Sequence, residues 1–478
     1  MAPRVDPEVG CIIPEEGQWP VDPQKDVDIA EDRLWIDGCF DFFHHGHAGV
    51  MLQSRRLGSS LIVGLHSDAD IAANKGPTVM NLAERVAAVD ACRFSTAVIP
   101  HAPYVTSLPW ISHYGCKYVT HGDDITSDAS GEDCYRFVKK AGRMKIVPRT
   151  PEISTTDLVG RMLGCTKEHF IPSLTARLEG KDGNGSEEQH KQKVEDMRRR
   201  IKDYAAAPNG KDEFVAVYTY GPGAARSNGS HATASSEQGT FTSIVPGYDP
   251  RPDQRVIYIP GAFDLFNPGH IAFLQSVTHL EEKLARDRGW YTPEAQQNRI
   301  STSRKDYSPA YVVIGLYDDS VVNRHKGINY PIMNIFERGL CVMQCKYVHA
   351  VVFGAPDNTN PEFLGSLPAC KANEAELPSA IYNSNARNPG SKGHDAFADA
   401  RNPGSKGHDA FVDARALGLY VEIQEHDFQD VNAAQIVSRI LEKRSEYEER
   451  QRKKGVKSVG EGAIRRLEME KELAARGG

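Results

Sequence analysis

The sequence has no run of about 18 apolar residues, so no part of it is expected to span a bilayer. Its opening residues, MAPRVDPEVGCIIPEEG, lack the charged-then-apolar pattern of a secretory leader. Nine cysteines fall at no regular spacing, which removes a disulfide framework. These absences lead to the expectation of a reduced, cytoplasmic protein in which the sequons at Asn184 and Asn228 stay unmodified. A basic excess is missing too. With 57 Lys and Arg against 64 Asp and Glu, the net charge is −7, whereas binding along a nucleic-acid backbone needs clustered positive charge. No nucleic-acid partner is expected, and an anionic ligand has to be held locally.

The 478 residues, 40% of them hydrophobic, suffice for two or three domains with cores of their own. From Leu34 to Leu163, the β-type runs RLWID, SLIVGLHS, STAVIP, KYVTHG and MKIVPR alternate with helical patterns. That alternation predicts an α/β domain with a doubly wound parallel sheet and a ligand crevice at the strand C-terminal ends. Residues 166–254 turn polar and glycine-rich and read as a flexible linker with one solvated helix. Within it GPGAAR lacks the lysine and hydroxyl of a phosphate loop.

The pattern then restarts. GCFDFFHHGH from Gly38 returns as GAFDLFNPGH from Gly261, and Lys75, Met80, Asn81, Glu84, Arg85 and Cys92 align with Lys326, Met333, Asn334, Glu337, Arg338 and Cys345. The chain is an internal duplication: an extension at 1–33, a first domain at 34–165, the linker at 166–254, a second domain at 255–441 and a charged tail at 442–478. The second domain carries a polar insertion near 282–309 and a 14-residue tandem repeat, ARNPGSKGHDAFAD then ARNPGSKGHDAFVD, that reads as surface loop.

In the first domain, Gly38 lets the backbone approach a ligand where the strand ends, and Gly46 opens the next helix. His44 and His47, three apart, project from one side of that turn, at a helix N-terminus whose amides attract phosphate. Imidazoles there can donate to oxygens on which negative charge grows. A zinc half-site needs two or more further ligands, and no Cys/His motif at zinc spacing follows, so no protein-held metal is assigned. Ser154, Thr155 and Thr156 open an amphipathic helix and form either an anion seat or a plain cap, with Arg149 just upstream. Lys75 and Arg85 add positive charge.

Together, the GxFDxxHxGH pattern, the downstream lysine, HGDD at residues 121–124 and RTPEISTT resemble the cytidylyltransferase branch of the nucleotidyltransferases, over most of 34–165 and more weakly over 255–441. HxGH by itself is shared with adenylyltransferases and class I aminoacyl-tRNA synthetases, but no KMSKS-like loop or basic anticodon domain is apparent. Two such halves in one chain are similar to the branch acting on phosphoethanolamine rather than the choline-phosphate branch. The resemblance implies two tandem Rossmann-like nucleotidyltransferase domains. It also implies in-line attack of phosphoethanolamine on the α-phosphorus of CTP, with Mg2+ carried on the triphosphate.

By the same resemblance, His44, His47 and Lys75 are catalytic. Gly38, Cys39, Phe40, Arg85, His121, Gly122, Asp123, Asp124 and Arg149 bind CTP, with Ser154, Thr155 and Thr156 under its β and γ phosphates, while Asp41 and Tyr135 face the amine. One departure is Glu152, which stands where the family motif has glycine.

The second copy keeps Asp264, His270, Lys326 and Arg338 but puts Asn267 in place of the first histidine. Asn432, Ala433 and Ala434 replace the hydroxyl triplet, and IYNSNA stands where HGDD would be. Losing the proton-carrying group costs on the order of 10²- to 10⁴-fold, so the second half is expected to be inactive and to support the first by pairing with it. A homodimer is left open. The rival readings are choline-phosphate specificity and a nucleotide sensor without turnover.

Overall fold

The computed structural model describes residues 3–450 and 452, apart from 125, 182–185, 223–238, 252, 328, 384–409 and 424. Both sequons, nearly all of GPGAAR, most of the tandem repeat and the tail beyond 452 lie outside the described residues. The described chain divides into two compact units. The first comprises residues up to Gly164, Pro208–Gly210 and the chain from Ala433 onward; the second comprises Cys165–Ala207 and Lys211–Asn432.

In the first unit β1 (Ala30–Gly38), α1 (His45–Leu57), β2 (Ser60–Leu65), α2 (Asp68–Lys75), α3 (Leu82–Asp90), β3 (Ala97–Pro100), α4 (Leu108–His113), β4 (Cys116–Gly122), α5 (Arg136–Lys140), β5 (Met144–Val147) and α6 (Thr155–Gly164) follow one another. The five strands are the five apolar runs of the sequence, and they form one parallel sheet in the order β3-β2-β1-β4-β5. Leu34, Trp35 and Ile36 are consecutive and all buried, as expected for a parallel strand covered on both faces. The strand order reverses direction between β1 and β4, which opens a crevice at their C-terminal ends. The N-terminal extension is part of this core: Trp19 stacks on His113 with ring centroids 3.5 Å apart and meets Trp110 edge-on.

The second unit holds α7 (Leu174–Leu178), α8 (Glu187–Tyr204), β6 (Ala216–Pro222), β7 (Gly239–Val245), β8 (Arg255–Gly261), α9 (Pro268–Asp287), α10 (Pro293–Ser303), β9 (Ala310–Leu316), α11 (Asp319–Lys326), α12 (Ile335–Met343), β10 (Ala350–Phe353), α13 (Pro361–Ser366), α14 (Pro368–Ala372), β11 (Ala380–Tyr382), α15 (Val412–Ala416) and β12 (Tyr420–Val421). Its sheet runs β12-β11-β8-β9-β10-β6-β7, so strands β8 to β12 repeat the order of β1 to β5. The duplication extends to details. Asn81 caps α3 and Asn334 caps α12, each in a capping box closed by Glu84 and Glu337 respectively.

Two expectations change. Residues 166–254 are not a plain linker, because β6 joins the second sheet parallel to β10 and β7 pairs antiparallel with β6. The helix α8 buries Met197, Ile201 and Tyr204 rather than standing in solvent. The run VAVYTY does have strand character, but its partner β10 lies about 130 residues further along, beyond the reach of local pattern. Likewise the 282–309 insertion is largely helical: Arg299 is buried, donates to Trp290 O at 2.6 Å and pairs with Asp306 at 2.7 Å. The final helix, α16 (Ala433–Glu442), which the duplication makes the counterpart of α6, lies in the first unit and packs beside α6.

Candidate active site

The turn from β1 into α1 is built on two left-handed residues, Phe40 (φ 53°) and Phe42 (φ 56°), with Asp41 between them. Such backbone costs on the order of 1 kcal/mol or more per residue, offset here by burial of both rings. Asp41 is buried, and its carboxylate accepts the N–H groups of Val79 and Met80, each at 3.0 Å. The second copy repeats the device: Phe263 and Leu265 are left-handed, and Asp264 accepts from Ile332 at 2.7 Å and Met333 at 2.9 Å.

His44 is the N-cap of α1, its Nδ1 accepting the Gly46 N–H at 3.1 Å. A neutral His44 therefore carries its proton on Nε2. One turn on, His47 stacks against His44 with centroids 3.9 Å apart. Gly46 has to be glycine, because a Cβ there would sit 2.8 Å from both the His44 ring and the Ile153 side chain.

A cavity of about 620 Å³ opens at this turn. Gly38, Cys39, Phe40, Asp41, His44 and His47 line one side. Lys75, the last residue of α2, faces it with its Nζ 5.9 Å from the Tyr104 ring centroid. His121, Gly122 and Asp124 contribute from the end of β4, and Arg149, Ser154 and Thr155 from the entry to α6. Arg149 lies 4.0 Å from Asp124, both half-exposed, and its N–H donates to Asp123 at 3.3 Å. Ser154 caps α6, accepting the Asp157 N–H at 3.1 Å and donating to the Asp157 carboxylate at 2.7 Å.

Four of the expected site residues do not line the cavity: Arg85, Asp123, Tyr135 and Thr156. Arg85, expected to help hold CTP, is fully buried, and its fork donates to Met80 O, Cys39 O, His66 O and Asp68 at 2.7–3.2 Å. With those directions used, it ties the ends of β1 and β2 to the loop before α3. Arg338 makes the same four kinds of bond to Met333 O, Ala262 O, Tyr317 O and Asp319, so its persistence follows from architecture rather than nucleotide binding.

Tyr135, expected to face the amine, is buried and donates its hydroxyl to Asp37 at 2.7 Å. Burial pushes the Tyr135 hydroxyl well above the usual tyrosine range, with the neighbouring Asp37 charge adding to the effect. Asp37 also accepts from Trp35 Nε1 at 2.8 Å and Thr106 at 2.7 Å, and it lines the cavity. The motif search missed Asp37, although the second copy has Pro260 at its position. Glu446, Glu449 and Arg450 also line the cavity, and nothing local in the sequence points to them.

Glu152 is exposed and left-handed (φ 68°), which accounts for the glycine at this position of the family motif. It does not line the cavity.

The second unit keeps this frame but changes the residue that caps its helix. Asn267 caps α9 by accepting from Gly269 at 3.0 Å and His270 at 3.4 Å, and its amide N–H donates to Leu265 O at 2.8 Å. Burial lowers His270 to about 3, so the ring is neutral, and burial also lowers Lys326. Asn432 closes the second unit's chain, while Ala433 and Ala434 already belong to α16 in the first unit.

A family model described as cytidylyltransferase-like matches residues 35–161. An ethanolamine-phosphate cytidylyltransferase of Mus musculus is 33% identical over 89% of this chain and 90% of its own length, and one of Dictyostelium discoideum is 32% identical over 89% and 95%. A choline-phosphate cytidylyltransferase A of Rattus norvegicus is 33% identical over 36% of this chain and 48% of its own. No described helix is long and apolar enough to cross a membrane.

Proposed function

The chain belongs to the ethanolamine-phosphate cytidylyltransferase family, and we propose that its first unit transfers the cytidylyl group of CTP to phosphoethanolamine. A phosphate oxygen of phosphoethanolamine forms a bond to the α-phosphorus as the bond from that phosphorus to the bridging oxygen breaks. CDP-ethanolamine forms and pyrophosphate leaves with the bonding electron pair. Such a displacement needs alignment and charge neutralisation rather than a covalent nucleophile.

The observation that carries this reading is the stacked His44–His47 pair at the start of α1, in one cavity with Lys75, Arg149 and the start of α6. In this reading His44 Nε2–H and His47 donate to the α-phosphate oxygens as charge accumulates. Lys75 and Arg149 neutralise the triphosphate, and Ser154, Thr155 and the N-terminal end of α6 receive the departing pyrophosphate, with Thr156 in the same turn. The amine end is assigned to the Asp37 and Asp41 side of the cavity, where Tyr135 acts through Asp37. An Mg2+ ion carried by the triphosphate, as the resemblance implies, would find the Asp124 carboxylate in the cavity lining. When bound, the ion supplies further charge neutralisation.

A cytoplasmic location, pairing of the two halves and assembly into a homodimer belong to the same reading, and sedimentation decides the last. Purified chain incubated with CTP, Mg2+ and either phosphoethanolamine or phosphocholine tests the chemistry. CDP-ethanolamine and pyrophosphate are expected in equal amounts, with EDTA abolishing both. Preference for phosphocholine would overturn the substrate assignment, and no product with either would overturn the reaction.

A further inference from the structure

Residues 76–81 connect Lys75, the last residue of α2, to α3. Asp41 holds this loop from one side through the amides of Val79 and Met80. On its other side, three successive carbonyls are taken by side chains from residues 439–450. Pro77 O accepts from Arg450 Nη1 at 2.6 Å, Thr78 O from the Tyr447 hydroxyl at 3.1 Å and Val79 O from Arg439 Nη1 at 3.2 Å. The Arg439 fork also closes on Glu84, Nη1 to Oε2 and Nη2 to Oε1, both at 2.7 Å. Glu84 is buried and accepts the Asn81 N–H at the loop's far end. Arg450 Nη1 lies 3.6 Å from Asp41 Oδ2, so the two holds meet. A bidentate, partly buried pair of this kind orients its neighbours far more than an exposed ion pair does.

The second unit gives an independent instance. Its matching loop has Asp264 on the amides of Ile332 and Met333, while Tyr330 O accepts from Asn323 at 2.7 Å and Pro331 O from His169 Nε2 at 2.9 Å. His169 lies just beyond α6 in sequence, as Tyr447 and Arg450 lie just beyond α16. In each unit the loop is held in part by the segment that follows the other half's last helix, with Arg439 adding its contacts from within α16 and Asn323 from α11.

We propose that residues 439–450 are a positioning element of the transfer site, in which Arg439, Tyr447 and Arg450 hold the Lys75 loop in its working conformation. Cytidylyl transfer in the first unit then depends on chain that follows the second unit in sequence. The inference rests on the proposed function for the identity of the nucleotide and the reaction.

The test combines CTP titration by calorimetry with steady-state turnover for R439A, R439K, Y447F and R450A, each also in a K75A background. Y447F and R439K are expected to weaken CTP binding about 3- to 10-fold, and R439A about 10- to 100-fold, through loss of one or several loop contacts. Because the arm acts through Lys75, R439A is expected to add less than about threefold to K75A, whereas independent contributions multiply. Values like wild type in R439A and Y447F, or losses that multiply with K75A, overturn the proposal. If R439A does not fold, Y447F, which deletes one oxygen, carries the same comparison. A chain that binds CTP yet makes no CDP-ethanolamine overturns the reaction and leaves the titrations to decide the arm. A chain that binds no CTP overturns both.

Discussion

The rings of His44 and His47 lie face to face, centroids 3.9 Å apart and planes within 16° of parallel. The contact is possible because His44 is also the cap of α1, which ties its Nδ1 to the Gly46 amide and aims Nε2 away from the helix. One nitrogen of this side chain thus serves the fold, and the proposed transfer uses the other.

Those two duties separate in the variant that the second copy already contains. Asparagine caps α9 through Asn267, so His44→Asn is expected to change unfolding free energy by less than about 0.5 kcal/mol while lowering kcat on the order of 10²- to 10⁴-fold. His44→Ala loses the cap as well, about 1 kcal/mol. Urea unfolding alongside steady-state turnover measures both, and an active asparagine variant would remove His44 from the chemistry.

Restoring the histidine in the second unit is not expected to restore activity. In a His47→Ala background, Asn267→His leaves the buried neutral His270 in place and the hydroxyl triplet still replaced by Asn432, Ala433 and Ala434. Turnover stays at the His47→Ala level and calorimetry counts one CTP per chain. Two nucleotides per chain would show that the second unit kept a site.

Glu152 holds a left-handed conformation that glycine adopts at no steric cost. Glu152→Gly is expected to stabilise the chain by about 0.5–1 kcal/mol, the relief of backbone strain less the added unfolded-state entropy. Since Glu152 does not line the cavity, KM for CTP stays within about twofold. A rise in CTP affinity much beyond that would show the carboxylate opposing the phosphates.

A pH test falls on Asp318, before α11 in the second unit, where burial raises the carboxyl to about 6, with the Asp319 charge adding to it and Arg338 opposing. The folded pKa exceeds the ordinary carboxyl value of 3.8, so folding takes up a proton between about pH 4 and 6, and the ionised group opposes folding above that window. Stability attributable to Asp318 therefore falls as pH rises from 4 through 6. Asp318→Asn is expected to be more stable than the parent at pH 7.5, by at most about 3 kcal/mol, and equal to it near pH 4. Melting curves at the two pH values decide it, and a constant difference would refute the assignment.

Much of this was legible in one dimension. Buried parallel strands read as unbroken apolar runs, so all five strands of the first sheet stand out in the sequence, and the paired motifs expose the duplication. The residues Lys75, His121 and Arg149 reach the cavity as their motifs implied. Arg85 and Tyr135 did not follow that reading, because a charged or polar residue inside a motif looks the same whether it faces a ligand or ties strand ends together, and only the direction of its donors tells them apart.

By itself, then, the sequence determined what depends on local spacing: two α/β halves, a histidine pair at a helix start, and a second copy with asparagine in place of the first histidine. Tertiary structure alone decided that β6 and β7 extend the second sheet, that Asp37 anchors Tyr135, and that Arg439, Tyr447 and Arg450 close on the loop after Lys75. The physical reason is chain separation. Hydrogen bonds between residues 98 to 373 positions apart leave no periodic trace in the sequence, and their partners are set only when the whole chain packs.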